Sequence, residues 1–526
     1  MSKLQELFDC AQNGRTATRQ SWREGTSDRA PYLRYTRSVA TFYVENFGCR
    51  ATQADGAAIE RQFEGRGLAR AVTPGEAELV VLNTCTVTAA ADRDARAAIR
   101  RIHRQNPKAQ IIVTGCYAQR APGEVASLPG VSQVIGNSHK HRVAELWVPH
   151  SGLGIEPDPA AGFVPLAALG PPASADPLSH SVQQPTTNAR RLYVSDIFAH
   201  TELLAAPVFD AANERTRPNL KIQDGCNNRC SFCVIPYVRG QSRSLPTERI
   251  LEEVRTLVAA GYQEIVLSGI NLGRWGRDLA GNMIFPRGRR TPRLEGLIRA
   301  ILEETAIAKL RISSVEPMDW SDELIALVAA SPRIARHAHV PMQSGSDRIL
   351  RRMHRKYRPP HYVEKILKIH AAMPDAAIGA DVMVGFPGET EADFEETRRL
   401  VEDLPFTYLH VFTYSARPGT PAASFSVQIP EPVARKRNHI LRNLAARKKH
   451  SFMQSFVGKT LAAITLGRGA GTRLNTEAVA WTEALTDNYL KLRLQGIHSP
   501  NRWWNAHVTA VTDDTLVGEP LSPSVL

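Results

Sequence analysis

Three of the chain's seven cysteines stand in one short run, Cys226-Asn-Asn-Arg-Cys230-Ser-Phe-Cys233. Thiols at this spacing occupy three corners of a cubane iron–sulfur cluster and supply no fourth ligand nearby. The cluster then keeps one iron open, a place to bind a substrate or cofactor rather than only to pass electrons. Three more cysteines, Cys49, Cys85 and Cys116, lie upstream and far apart in sequence, a second triad that is again one ligand short. Cys10 is left over in a polar leader. The chain therefore reads as the holder of two clusters, each with an open iron. A zinc site would need a fourth nitrogen or sulfur at conventional spacing, and the nearest histidines, His200 and His337, are not close in sequence. A ferredoxin would want four cysteines per cluster.

A length of 526 residues predicts several domains, and 43% apolar residues are enough for ordinary packed cores. No apolar stretch reaches transmembrane length and the N-terminus has no apolar signal core, so the expected address is cytoplasmic, with no membrane association. Reduced thiols are expected there, which favours metal or catalytic use of cysteine over disulfides. The formal charge of +13 suits a polyanionic partner, most simply nucleic acid; the plainer alternative is that it only aids solubility.

Residues 1–38 are polar without an apolar period and read as a disordered leader or as residues ahead of the true start. A first domain is expected over residues 40–148. Three strand-like runs begin at Thr41, Glu78 and Gln110, with Ala/Arg-rich helical stretches such as Ala89–Gln105 between them, which predicts a parallel α/β sheet. Each run leads to a cysteine: Cys49, Cys85, Cys116. Ligands of open α/β sheets bind outside the carboxyl ends of strands, so the three can converge there, and Gly48 and Gly115 would allow close backbone approach to a cluster. One such cysteine alone would be a small buried residue. Three in equivalent positions point to ligation.

Residues 149–215 read as a linker and lead-in; eight prolines fall between 149 and 190. Over 216–451, strands are expected at Leu220-Lys-Ile-Gln-Asp, Glu264-Ile-Val-Leu-Ser-Gly, Leu310-Arg-Ile-Ser-Ser, His337-Ala-His-Val-Pro, Ile378-Gly-Ala-Asp-Val-Met-Val and Tyr408-Leu-His-Val-Phe-Thr-Tyr. Six βα units make a partial (β/α)6 barrel with its site at the strands' C-terminal ends. A basic stretch follows Ala434. Arg435, Arg442 and Lys449 recur every seven residues and share a helical stripe, either a solvated face or a phosphate-facing one. Residues 452–526 alternate in short strands and read as a small β-barrel of the oligonucleotide-binding kind.

The cluster loop, with Phe232 just before its third cysteine, resembles the radical S-adenosylmethionine superfamily. With Cys49, Cys85 and Cys116 upstream and a β tail downstream, the chain from Thr41 onward resembles the methylthiotransferase family: an N-terminal cluster domain, a partial barrel and a TRAM module. Supporting strings are Met342-Gln-Ser-Gly-Ser, Val384-Gly-Phe-Pro-Gly-Glu-Thr, Phe412-Thr-Tyr-Ser-Ala-Arg-Pro-Gly-Thr-Pro and Leu485-Thr-Asp-Asn-Tyr. The segment Gly269-Ile-Asn-Leu-Gly-Arg-Trp-Gly276 is similar to the branch acting on N6-threonylcarbamoyladenosine beside the tRNA anticodon; other branches act on isopentenyladenosine or on a ribosomal-protein aspartate. One departure is visible: the family usually carries Lys-Val-Asn-Gln after the first cysteine, and this chain has Arg50-Ala-Thr-Gln53.

The resemblance implies two 4Fe-4S clusters, on Cys49, Cys85 and Cys116 and on Cys226, Cys230 and Cys233. It also implies two S-adenosylmethionine molecules, one cleaved to a 5′-deoxyadenosyl radical and one giving the methyl group. Phe232, Gly269, Glu316, Gln343 and Gly385 fall where the cofactor would be contacted; Gly269 is equally a tight turn, and Glu316 and Gln343 equally structural hydrogen-bond partners at the barrel rim. Arg239 and Arg243 fit either an anionic group or ordinary ion pairs. The implied partners are a tRNA anticodon stem-loop, held by Arg435, Arg442, Lys449 and the β tail, and an electron donor such as a flavodoxin or ferredoxin.

Overall fold

The computed structural model describes residues 40–148, 191–200, 203, 216–279, 292–467 and 480–524. The polar leader with Cys10 and the proline-rich part of the linker lie outside these residues.

The first sheet contains β1 (Thr41–Asn46), β2 (Ala69–Arg70), β3 (Leu79–Thr84), β4 (Gln110–Gly115), β5 (Val131–Gly136) and β6 (Arg191–Tyr193), in the order β2-β1-β3-β4-β5-β6 and parallel throughout. Its central strands are apolar without alternation (Leu79 to Leu82, Ile111 to Val113) because helices cover both faces. Helix Ala89–Gln105 shows why the sequence folds this way. Thr88 caps it by accepting from the Ala91 N–H, and Ala95, Ala98, Ile99 and Ile102 form its buried stripe. Strand β6 corrects the linker boundary: the lead-in after residue 190 contributes a sixth strand, paired to β5.

The second region contains β7 (Asn219–Asp224), β8 (Arg243–Ser244), β9 (Glu264–Gly269), β10 (Lys309–Ile312), β11 (His337–His339), β12 (Ala377–Val384) and β13 (Tyr408–Thr413). β10-β9-β7 and β11-β12-β13 are parallel, joined by bridges Leu310↔Ile334 and Ser314↔His339, while short β8 runs antiparallel on β7. The expected six-stranded open barrel is therefore present. Along β12, Ile378, Ala380, Val382 and Val384 sit in the core beneath the helices, leaving Gly379, Asp381 and Met383 on the inner wall. That wall is polar elsewhere too: buried Glu264 pairs with Arg311 on the neighbouring strand.

The third region is a closed barrel, β14 (Thr460–Thr465), β15 (Trp481–Thr486), β16 (Lys491–Gln495), β17 (Trp503–Thr512) and β18 (Thr515–Pro523), ordered β14-β15-β16-β18-β17. The turn after β15 stops the N-terminal end of the open barrel: Arg311 donates to the Asp487 carbonyl (3.1 Å), and Lys309 pairs with the Asp487 carboxylate (3.2 Å). Among the described residues, no helix is long and apolar enough to cross a membrane.

Candidate functional site

The first triad is built by register. β1, β3 and β4 are neighbours, so their carboxyl ends bring Cys49, Cys85 and Cys116 to one edge. Gly48 and Gly115 have φ of 104° and 97°. A Cβ on Gly48 would lie 2.5 Å from the Cys85 Cβ, and one on Gly115 would lie 2.3 Å from the Thr84 carbonyl. The glycines are thus required by the approach of neighbouring strand ends to one another, a more specific reason than room for a cluster. Cys49 occupies the N-cap of helix Arg50–Glu64. Burial first, then the nearby Cys116, pushes the Cys85 thiol up to about 12. Thr52, the departing position, keeps its hydroxyl 3.6 Å from the Cys49 sulfur. Asn83 supplies the missing amide nearby, donating to the Thr52 carbonyl (2.7 Å) and to Asn46 (3.0 Å).

The second triad lies on the loop after β7. Burial, then Cys230, pushes Cys233 up to about 12. Two side chains donate toward this triad's sulfurs: Asn271 to Cys226 (3.5 Å) and Arg355 to Cys230 (3.4 Å); Asn137 does the same for Cys116 (3.5 Å). Sequence reading missed all three, although Asn271 sits inside the branch segment. All-thiol donors, polar groups aimed at the sulfurs and three thiols per set suit iron–sulfur clusters that each keep one iron open.

The two triads are close. Cys116 packs with Val234, which directly follows Cys233, and with Val238 one helical turn further on. A cavity of about 210 Å³ opens beside them, walled by Val87 and Thr88 after Cys85, by Phe232 and Cys233, and by Gln343, Met383 and Tyr414 of the barrel. Buried charges clamp the two regions around it. Asp55 on helix Arg50–Glu64 receives Lys140 (2.9 Å), Arg239 (3.0 Å) and Lys221, and Arg239 and Lys221 also hold Asp224 (both 2.9 Å), two residues before Cys226. Burial alone would raise the Asp55 carboxyl; Lys140, Lys221 and Arg239 overcome it and hold it near 2. Arg417 pairs with Asp92 (2.7 Å) on the other side. Arg239 is therefore an ion-pair residue, and Arg243 donates to the carbonyls of Arg239 and His200.

The remaining expected site residues divide. Phe232 stands edge-on to Phe386 (6.4 Å) and forms part of the cavity wall. Gln343 has φ 62°, is buried, and leaves its Oε1 without a hydrogen-bond partner at the cavity. Glu316 pairs with Arg355 beside Cys230, lining a second, smaller pocket with Asn228 and Tyr357. Gly269 makes room for Gln223, whose Oε1 accepts from the Asn271 N–H (2.7 Å) and whose Nε2 holds the carbonyls of Asp224 and Gly225. Gly385 has φ 73°, and a Cβ there would meet Ala434 at 2.6 Å, so its glycine serves the packing of helix Glu431–Gln454. On that helix Arg435 and Arg442 are exposed, with Arg435 paired to Glu431 (2.8 Å), and Lys449 reaches Asp514 (3.7 Å). Arg437, in the same basic run, is instead buried against Glu389 (2.8 Å). Lys449 also borders a cleft of about 520 Å³ between β13 and the small barrel, with Arg217, Lys491, Arg493, Tyr408 and Tyr489.

Comparison with known proteins agrees with this geometry. Residues 220–401 match the Radical SAM superfamily, and residues 41–136 match a family described as Uncharacterized protein family UPF0004. The chain is 34% identical over 459 residues to "Threonylcarbamoyladenosine tRNA methylthiotransferase MtaB" of Bacillus subtilis, covering 87% of this chain and 91% of that one. It is 33% identical to the protein of the same name from Aquifex aeolicus (86% and 96% covered). It is also 33% identical to "tRNA-2-methylthio-N(6)-dimethylallyladenosine synthase" of Novosphingobium aromaticivorans (82% and 88% covered).

Proposed function

This chain belongs to the tRNA methylthiotransferase family, and we propose that it adds a 2-methylthio group to N6-threonylcarbamoyladenosine beside the anticodon. The observation that carries the reading is the nearness of two three-cysteine sets, each one ligand short: Cys116 of one packs with Val234 and Val238, just after Cys233 of the other, beside a cavity that Cys233 lines. Cys226, Cys230 and Cys233 hold one 4Fe-4S cluster, and Cys49, Cys85 and Cys116 the other. When bound, these clusters and S-adenosylmethionine supply the one-electron and sulfur chemistry that replacing an unactivated aromatic C–H by C–S demands.

The chain's own residues bind, orient and exclude water. Arg355 sets a cation against Cys230 and fixes Glu316, whose carboxylate is placed to accept from the amino group of S-adenosylmethionine. Gln343 offers its unpaired Oε1 to cofactor or base, and Phe232 gives a ring to stack on. Gly269 acts through Gln223 and Asn271, tying the strand end to Cys226. The apolar cavity wall keeps water from a reactive intermediate.

An anticodon loop offers unpaired bases that can be splayed into such a cavity. Arg435, Arg442 and Lys449, with the cationic cleft beside β13, are suited to hold its phosphates. The surface pairs to Glu431 and Asp514 are weak enough to be exchanged for phosphate. The working division is residues 40–148 for the first cluster, 216–451 for the radical barrel and 452–526 for RNA, with a flavodoxin or ferredoxin as electron donor in the cytoplasm. The choice of base rests on residues 269–276, since relatives named for either adenosine are about equally similar.

Nucleoside analysis of tRNA with and without the gene tests this. The 2-methylthio derivative of threonylcarbamoyladenosine should vanish and its unthiolated precursor accumulate. Loss of methylthio-isopentenyladenosine instead, or an unchanged tRNA profile with loss of a modified ribosomal-protein aspartate, would overturn the substrate.

A further inference from the structure

Below the cavity, the inner wall of the open barrel carries a second donor set that the cysteine chemistry does not use. His339 ends β11, Asp381 lies in β12, and His410 is the register partner of Asp381 on β13. Their ligand atoms all lie within 4.8 Å of one another, and His339 Nε2 is 3.4 Å from Asp381 Oδ1. We propose that His339, Asp381 and His410 bind one divalent first-row metal ion, with zinc as the reference case.

Three features support a built site. Donors about 2.0–2.2 Å from a common metal stand roughly 3–4 Å apart, and the His339–Asp381 separation of 3.4 Å falls in that range. His339 is 6% exposed, and its Nε2 has no hydrogen-bond partner. Its Nδ1 lies 2.6 Å from Ser314 Oγ. With the Nδ1 proton donated to that hydroxyl, Nε2 turns a lone pair toward the Asp381 carboxylate, an arrangement that a cation between them relieves. Such an outer hydrogen bond is also what fixes the tautomer of a metal-bound histidine. Finally, both imidazoles are propped by one ring. Gly379 leaves room for Tyr408, which stacks on His339 (5.9 Å, 24°) and meets His410 edge-on (5.3 Å, 65°). Two imidazoles and a carboxylate on three neighbouring strands make a rigid three-ligand site with positions left open. His410 also borders the large cationic cleft, so an oxygen of a molecule entering there can complete the coordination.

The test uses full-length protein with its clusters reconstituted anaerobically, incubated with Zn²⁺ and passed over chelating resin. Wild type should retain about one zinc per chain, with an absorption edge fitted by nitrogen and oxygen neighbours only. His410→Ala and Asp381→Asn should lose that zinc while keeping full iron and sulfide. Ser314→Ala should weaken zinc binding about tenfold. His439→Ala, removing an exposed histidine on helix Glu431–Gln454, should retain it. Zinc retained equally by His410→Ala and Asp381→Asn, sulfur in the zinc shell, or no zinc on wild type would each overturn the proposal. The outcome does not depend on which base is modified.

Discussion

The two cysteine triads are assembled by opposite routes. Cys226, Cys230 and Cys233 are held by one loop whose local sequence nearly suffices. Cys49, Cys85 and Cys116 meet only because β1, β3 and β4 align their ends, and because Gly48 and Gly115 let those ends close up. A local triad is robust to remote change; a triad assembled by tertiary structure inherits the stability of its whole sheet. The buried cluster of Asp55, Asp224, Lys140, Lys221 and Arg239 couples the two, since it ties helix Arg50–Glu64, capped by Cys49, to the residues just ahead of Cys226.

The largest expected effect separates the triads by role. Replacing Cys226, Cys230 and Cys233 together by Ala should abolish 5′-deoxyadenosine formation. Replacing Cys49, Cys85 and Cys116 should leave that formation intact while no sulfur reaches the base. Each change should lower iron from about eight to about four per chain. Quantitation of iron, 5′-deoxyadenosine and modified nucleoside on the same samples checks all of this, and equal loss of 5′-deoxyadenosine in both variants would erase the distinction.

Next in size is the coupling. Arg239→Met removes one partner from a buried ionic cluster and should destabilise the chain by about 3–5 kcal/mol. Anaerobic denaturant unfolding measures it. Because Arg239 touches both Asp55 and Asp224, iron at both triads should become labile; loss at one only would show that the clamp does not couple them.

The pH dependence is smaller. Asp55 is held near 2, below its ordinary value of 3.8. A depressed carboxyl stabilises the fold above the unfolded value and loses that contribution as pH falls through the folded one. About 2 kcal/mol should therefore disappear between about pH 4 and pH 2. Thermal unfolding across this window should show a shallower slope for Asp55→Asn than for wild type.

The smallest effect concerns RNA. Arg442→Ala should weaken anticodon stem-loop binding a few-fold and reduce the slope of log K against log salt by about 1. Filter binding over a salt series reads both.

Much of the architecture was legible from sequence because the decisive signals are local. Short apolar runs leading to cysteines, with an Ala/Arg-rich helical stretch between them, mark the parallel sheet without any long-range information. The short strand β6 was lost in a proline-rich lead-in, since three residues carry too little pattern and gain their strand from pairing with β5. At the site, the spacing of the cysteines is a local pattern, and the polar neighbours of the sulfurs are not. Asn137, Asn271 and Arg355 stand tens of residues from the sulfurs they face, and nothing in a single chain's spacing brings them there. Arg437 teaches the converse: it looks like one of a basic run, yet burial against Glu389 gives it a structural role that composition cannot distinguish from that of Arg442.

Electron paramagnetic resonance of the dithionite-reduced, fully loaded protein tests the central claim most directly. Two open-iron clusters flanking one cavity should show spin–spin broadening that disappears when either triad is replaced by Ala. Two sharp, independent signals in the intact protein, unchanged by loss of the other triad, would contradict it.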